Sequence, residues 1–133
     1  MAAGLAYVVT LAVFVAADMA WLTTMADRVY RSTLGDIATP DIRLAPAIVF
    51  YVLYPAGLVF FAVVPALRSG SLATALLYGA LFGFFTYATY DLTNQTTLRN
   101  WTTQLTIIDI AWGTSLAGAT ACVAFWTVSK LTG

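Results

Sequence analysis

The sequence predicts an all-α integral membrane protein, a four-helix antiparallel transmembrane bundle with a polar vestibule on one side. Hydrophobic residues make up 61% of the 133 residues and charged residues 9%, against roughly 45–50% and 25% in an ordinary soluble domain. Four apolar stretches each reach the roughly 20 residues that a membrane helix needs. Polar residues within these stretches gather near one end of each, and they define the predicted vestibule.

Composition excludes several classes of function. The net charge is zero, so there is no basic field to attract nucleic acid, and we expect no nucleic-acid partner. Histidine is absent, which removes the usual ligand of zinc and haem, and we expect no metal site and no cofactor. The single cysteine, Cys122, lies in an apolar run and is predicted to be a small buried hydrophobe. Carboxylate chemistry must rest on the aspartates Asp18, Asp27, Asp36, Asp41, Asp91 and Asp109.

The chain is predicted to be one transmembrane domain, residues 1–133. We place its spans at about 2–25, 44–67, 72–93 and 103–129. The first span begins without Lys or Arg, so we expect a retained span and not a secretory signal, whose first residues would be positively charged.

The longest polar segment, residues 26–43, lies between the first two spans. Tyr30, Leu34 and Ile37 have helical spacing, whereas the intervening Gly35 argues against one long helix. A short helix lying in the membrane interface and a solvated loop are both compatible with this pattern.

Two further patterns concern how the spans pack. Pro55 lies in the middle of the second span and is predicted to kink it, because proline removes a backbone hydrogen bond. Ala75, Gly79 and Gly83 place a small residue at every fourth position of the third span, which lets two membrane helices approach closely.

The predicted vestibule follows from the antiparallel order of the spans. The end of spans 1 and 3 and the start of spans 2 and 4 share one side, where Asp18 and Tyr51 lie roughly 10 Å inside the span ends at 1.5 Å per residue. The opposite half of the layer contributes mostly small or apolar residues. The candidate ligand-binding residues are Asp18, Trp21, Tyr51, Tyr54, Tyr87, Tyr90, Asp91, Asn94, Asp109 and Trp112.

Three of these residues, Asp18, Asp109 and Asp91, are also the candidates for catalysis. A charge at mid-membrane costs about 2.5–3.5 kcal/mol on insertion scales, so an acid there suggests function. A structural alternative is a hydrogen bond between helices, or for Asp91 a cap or an ion pair, for which Arg99 is the expected partner. Burial and crowding of like charges both favour a protonated carboxyl, which could donate a hydrogen bond to a ligand or exchange a proton with it.

The tryptophans have a simpler interpretation. Trp21 and Trp112 lie near the acids along their helices, but placement in the aromatic belt at the membrane surface is the favoured account of both. Trp101 and Trp126 are predicted to be belt residues.

Charge placement predicts the orientation. The vestibule side carries four basic residues and the opposite side two, which puts the vestibule on the cytoplasmic face. We expect a multi-pass protein of the bacterial inner membrane. The basic residues of the vestibule side are Arg28, Arg31, Arg43 and Arg99, and those of the other side are Arg68 and Lys130.

Three motifs carry a family resemblance. The run F-Y-V-L-Y-P-A-G-L-V-F-F-A-V-V-P-A, the run Y-A-T-Y-D-L-T-N-Q-T-T-L-R-N-W and the run I-I-D-I-A-W-G resemble the bacterial predicted membrane proteins of the DUF2177 family. The resemblance covers nearly the whole chain. It implies a four-span bacterial membrane protein and carries no established activity.

Three functions remain open. The protein could bind or transport a small amphiphilic or lipidic ligand, with the aspartates as a proton or cation site. Transport by so small a chain calls for a homodimer, for which the face of Ala75, Gly79 and Gly83 is the candidate interface. It could instead be a membrane-embedded enzyme that modifies a lipid, fatty-acyl or isoprenoid substrate, with Asp18 or Asp109 as general acid or base. The third is an accessory subunit whose polar residues only bind helices together.

Overall fold

Four long helices make up the protein. The computed structural model describes residues 2–37 and 43–133. Its helices are α1 (Ala2–Ile37), α2 (Leu44–Ser69), α3 (Leu72–Thr97) and α4 (Thr103–Thr132), and each is long and apolar enough to cross a membrane. The described residues contain no strand. The predicted all-α, four-span transmembrane bundle is confirmed, with α3 and α4 extending a few residues beyond the predicted span ends.

Short, well-defined turns separate the last three helices. Gly70, with φ at +65°, ends α2 in the left-handed conformation that glycine adopts at least cost. Ser71 and Thr102 then cap α3 and α4, because each hydroxyl accepts a hydrogen bond from the backbone N–H three residues on, at 3.2 and 3.1 Å. The turn between α2 and α3 is so short that these helices are neighbours at that end.

The segment after Met25 is helical rather than a solvated loop. It continues α1 as a π-helical turn (Ala26–Tyr30), one α-helical turn (Arg31–Leu34) and a 3₁₀ turn (Gly35–Ile37). Residues 38–42 of this predicted polar segment, including Pro40 and Asp41, lie outside the described residues.

This extension is tied to the turn between α3 and α4. The Asn100 amide donates a hydrogen bond to the carbonyl of Leu34 at 2.7 Å, and Arg99 lies 3.6 Å from the Asp36 carboxylate. The expected pairing of Arg99 with Asp91 is wrong. Asp91 is buried six residues, roughly 9 Å, inside the helix end at Thr97, whereas Arg99 lies exposed beyond that end.

The helix α2 runs through Pro55 without ending there. Its hydrogen-bond pattern changes just beyond the proline, where Val59–Val63 form a π-helical turn. Such turns mark places where the regular i to i−4 pattern has been interrupted. Pro55 itself is buried within the bundle.

The closest helix pair is α3 with α4. A Cβ added at Gly79 would lie 2.7 Å from the Cβ of Ala121, and one at Gly83 would lie 2.7 Å from the Cβ of Ala117. The small-residue face of α3 is therefore buried inside the protomer. It is not available as the homodimer interface expected from the sequence, and the homodimer itself stays a prediction.

Candidate functional site

A cavity of about 630 Å³ lies among the four helices. It occupies the end of the bundle at which α1 and α3 end and α2 and α4 begin. Aromatic rings make up most of its wall, and the two acids Asp18 and Asp109 reach it from the neighbouring helices α1 and α4. The lining residues are Asp18, Leu22, Tyr30, Pro46, Ala47, Phe50, Tyr51, Tyr54, Thr86, Tyr87, Tyr90, Asp109 and Trp112.

Asp18 joins three helices through its carboxylate. One oxygen accepts a hydrogen bond from the Tyr51 hydroxyl of α2. The other accepts from the indole N–H of Trp112 on α4, at 3.1 Å. Asp18 is only 6% exposed, so these two donors replace the water that the carboxylate loses on burial.

The two tryptophans form a stacked pair. The rings of Trp21 and Trp112 lie 4.3 Å apart and 7° from parallel. Trp21 donates to the Tyr30 hydroxyl at 3.0 Å, and that hydroxyl donates to Asp109 at 2.5 Å. A single run of contacts therefore links Asp18 to Asp109. Both tryptophans are half-buried, and these contacts within the bundle, rather than a place in the surface belt, position their side chains.

Asp91 lies behind Asp109 and is completely buried. Among the described residues, no N–H or O–H donor reaches either of its carboxylate oxygens. The Asp109 carboxyl is within hydrogen-bonding reach. Two carboxyl groups can hydrogen-bond only if one of them carries a proton, so this pair can hold one beside the cavity.

The inner wall of the cavity is built on Tyr54. Its ring stacks on Phe14 at 4.8 Å, and its hydroxyl is 2.9 Å from that of Thr86 on α3. Tyr87 meets the same ring edge-on at 6.1 Å. Gly113 makes room for Tyr87, because a Cβ at Gly113 would overlap the tyrosine ring.

The rim is formed by Tyr90, which is 58% exposed. Its ring meets Trp101 edge-on at 5.8 Å. Trp101 is itself 7% exposed and donates to the Thr106 hydroxyl at 2.9 Å, so the prediction that it is a belt residue is wrong. Trp126 is 58% exposed, as a belt residue would be.

Seven of the ten candidate ligand-binding residues line this one cavity. Asp91 and Trp21 lie behind it, where they contact Asp109 and Trp112, and Asn94 does not line it. The polar character of the predicted vestibule stays a prediction, because most of the wall is aromatic or aliphatic. The residues that line the cavity are Asp18, Tyr51, Tyr54, Tyr87, Tyr90, Asp109 and Trp112.

Six of the thirteen cavity residues were not among the sequence candidates, and of these Tyr30 is the one that hydrogen-bonds an acid. In a regular α-helix, nine residues are two and a half turns, which would put Tyr30 on the face opposite Trp21. The π-helical turn at Ala26–Tyr30 changes that phase. Helical periodicity therefore contained no signal for this contact.

Comparison with known proteins places the chain in a family. The family model described as "Predicted membrane protein (DUF2177)" matches residues 3–126, nearly the whole chain. No curated protein matches it, and no solved structure does. The matched region covers at least part of every helix and every residue of the cavity. The chain therefore belongs to the DUF2177 family and is a multi-spanning membrane protein.

Proposed function

We propose that this protein binds a small amphiphilic or lipidic molecule in the cavity, with the polar head beside Asp18 and Asp109. The cavity itself carries the proposal. Its volume of about 630 Å³ falls within the roughly 300–1,000 Å³ of small-molecule sites, which are mostly apolar with a few convergent polar groups.

The spacing of α2 and α3 supports access from the lipid. The first half of α2, Leu44–Leu58, makes few close backbone contacts with α3, whereas Val59–Val63 packs tightly against it. The cavity fills the gap. Phe50 and Tyr90 flank the opening and are 40% and 58% exposed. An amphiphile could therefore move sideways from the bilayer with its tail between the two helices.

Proton-coupled transport of this ligand and acid–base modification of it are both compatible with the aspartates. Each function begins with the same binding step. Binding is therefore the property to test first.

The replacement Ala47→Trp should abolish retention of the ligand. Ala47 lines the cavity, and an indole there would fill space that the ligand needs. Ala45→Trp is the matched control, because Ala45 is exposed and lies two residues away on the same helix outside the cavity. Native mass spectrometry with lipidomics on the three purified proteins would measure the bound molecule.

Wild type and Ala45→Trp should retain the same amphiphile, and Ala47→Trp should retain none. A bound molecule with a new chemical group would point to the enzyme. Equal retention by all three proteins, or by none, would count against a ligand site in this cavity.

We further propose that the protein lies in the bacterial inner membrane with the cavity toward the cytoplasm. Four of the six basic residues, including Arg99 beside Asp36, belong to that end, and basic residues favour the cytoplasmic side.

Cysteine labelling of intact cells tests this orientation. In a Cys122→Ala background, an impermeant thiol reagent should label Ser69→Cys at the far end and leave Thr97→Cys unlabelled. Both positions are exposed. The opposite pattern would mean that the cavity opens to the outside.

A further inference from the structure

We infer that the head group accepted by this cavity is an organic cation, such as an amine, a quaternary ammonium or a phosphonium group. The inference rests on the ligand site proposed above and adds the charge of the ligand's head group. Three separate features support it: buried acids, the placement of the basic residues, and the aromatic wall.

Three carboxyl groups are buried beside the cavity, and two of them, Asp18 and Asp109, line it. Asp18 is 6% exposed, Asp109 5% and Asp91 0%. Isolated charge in a membrane is expensive, and acids there are normally paired with a cation or with a proton. Asp91 receives no hydrogen bond from any donor among the described residues, so its contact with Asp109 calls for a proton. Asp18 and Asp109 accept hydrogen bonds and line the cavity, so they are the acids with negative charge to offer.

No basic side chain of the protein neutralises it. All six Lys and Arg residues lie within the described ranges, and none lines the cavity. The ion pairs found among the described residues, Arg31 with Asp27 and Arg99 with Asp36, are exposed and involve none of the buried acids. An anionic head would meet carboxylates and no positive partner.

Three of the donors that line the cavity are directed at the acids. The Tyr51 hydroxyl and the Trp112 indole donate to Asp18, and the Tyr30 hydroxyl donates to Asp109. Hydrogen bonds already made in this way are not free for a phosphate or carboxylate head. An ammonium or phosphonium group needs no donor and is attracted by the carboxylates directly.

Aromatic rings surround the remaining space. Trp112, Tyr54 and Tyr87 all line the cavity. The face of an aromatic ring attracts a cation within about 6 Å of its centroid, and cages of such rings recognise quaternary ammonium groups. The described residues contain no group of three His, Cys, Asp or Glu side chains suited to a metal ion, so the chemistry favours an organic cation.

Tetraphenylphosphonium and tetraphenylborate form a matched pair for the test, since they share size and shape and differ in charge. Equilibrium dialysis against the protein in zwitterionic nanodiscs, corrected for empty nanodiscs, should show phosphonium bound at least about tenfold more tightly than borate, or about 1.4 kcal/mol. Asp18→Asn should weaken phosphonium binding at least about fivefold. Asp27→Asn, at an exposed acid paired with Arg31, should leave it unchanged.

The outcomes separate the two proposals. Borate binding as tight as phosphonium binding, blocked by Ala47→Trp, would overturn the inferred charge and leave the site in place. If neither ion binds but wild type still retains an amphiphile that Ala47→Trp loses, the inferred charge is again overturned and the site stays in place. If neither ion binds and no amphiphile is retained, both proposals fail. The comparison of phosphonium with borate binding uses only the wild-type protein, so it tests the inferred charge whether or not Asp18→Asn folds.

Discussion

Gly83→Ala is expected to destabilise the bundle by about 3 kcal/mol, at the upper end of the usual cost of overpacking. The added Cβ would overlap the backbone carbonyl of Gly113 and would lie 2.7 Å from the Cβ of Ala117. Neither neighbour can rotate away, because both are anchored to the backbone of α4. The helices α3 and α4 would have to separate along their closest contact. Thermal unfolding and denaturant titration in detergent would measure the loss.

Two other glycines provide graded controls. A Cβ at Gly118 would lie 3.3 Å from the Cβ of Ala80, and one at Gly4 would meet nothing within 4 Å. We expect a smaller loss at Gly118, and at Gly4 a gain of up to about 1 kcal/mol from helix propensity. Equal stability of Gly83→Ala and Gly4→Ala would show that α3 and α4 do not pack this closely.

Trp112→Leu should cost about 3 kcal/mol of unfolding free energy, at the low end of the roughly 3–5 kcal/mol for truncation of a buried aromatic residue to Ala, because Trp112 is half-buried and Leu fills part of its space. It removes the stack with Trp21 and the hydrogen bond to Asp18. The buried carboxylate then loses one of its two donors, and such a loss alone costs about 1–3 kcal/mol. The same change should also deform the cavity wall.

Trp126→Leu is the matched control for this replacement. Trp126 lies on the same helix and is 58% exposed, with the Lys130 amine 6.0 Å from its ring. Its replacement should change stability little. Near-ultraviolet circular dichroism gives a second measurement, because the stacked pair should produce a signal that disappears in Trp112→Leu and persists in Trp126→Leu. Similar losses in the two variants would contradict the interior role of Trp112.

The fold was largely predictable from the sequence. A chain of 133 residues is too short to bury four apolar stretches of this length in its own interior, so the bilayer must be their solvent. The backbone of each stretch must then be helical. The row Ala75, Gly79 and Gly83 also identified a packing face by its spacing. It could not identify the partner, which is α4 of the same chain. Small-residue spacing allows close approach and says nothing about which helix approaches.

Much of the site was predictable from the depth of its residues along the helices. Asp18 and Asp109 lie at similar distances from their span ends, and antiparallel order brings such positions to one level of the bundle. The sequence did not determine the direction in which each side chain points. From sequence, Trp21 and Trp112 are predicted to lie in the belt, whereas their rings stack on each other within the bundle.

By itself, the sequence determined that the helices lie in a bilayer, how many there are and at what depth along the bundle the acids lie, because these properties follow from length and composition. Only the tertiary structure decided which acid meets which donor. The π-helical turn at Ala26–Tyr30 directs Tyr30 toward Asp109, and Arg99 is positioned beside Asp36 rather than Asp91. Both depend on the rotation of one helix relative to another, and that rotation is set by the packing of all four helices together.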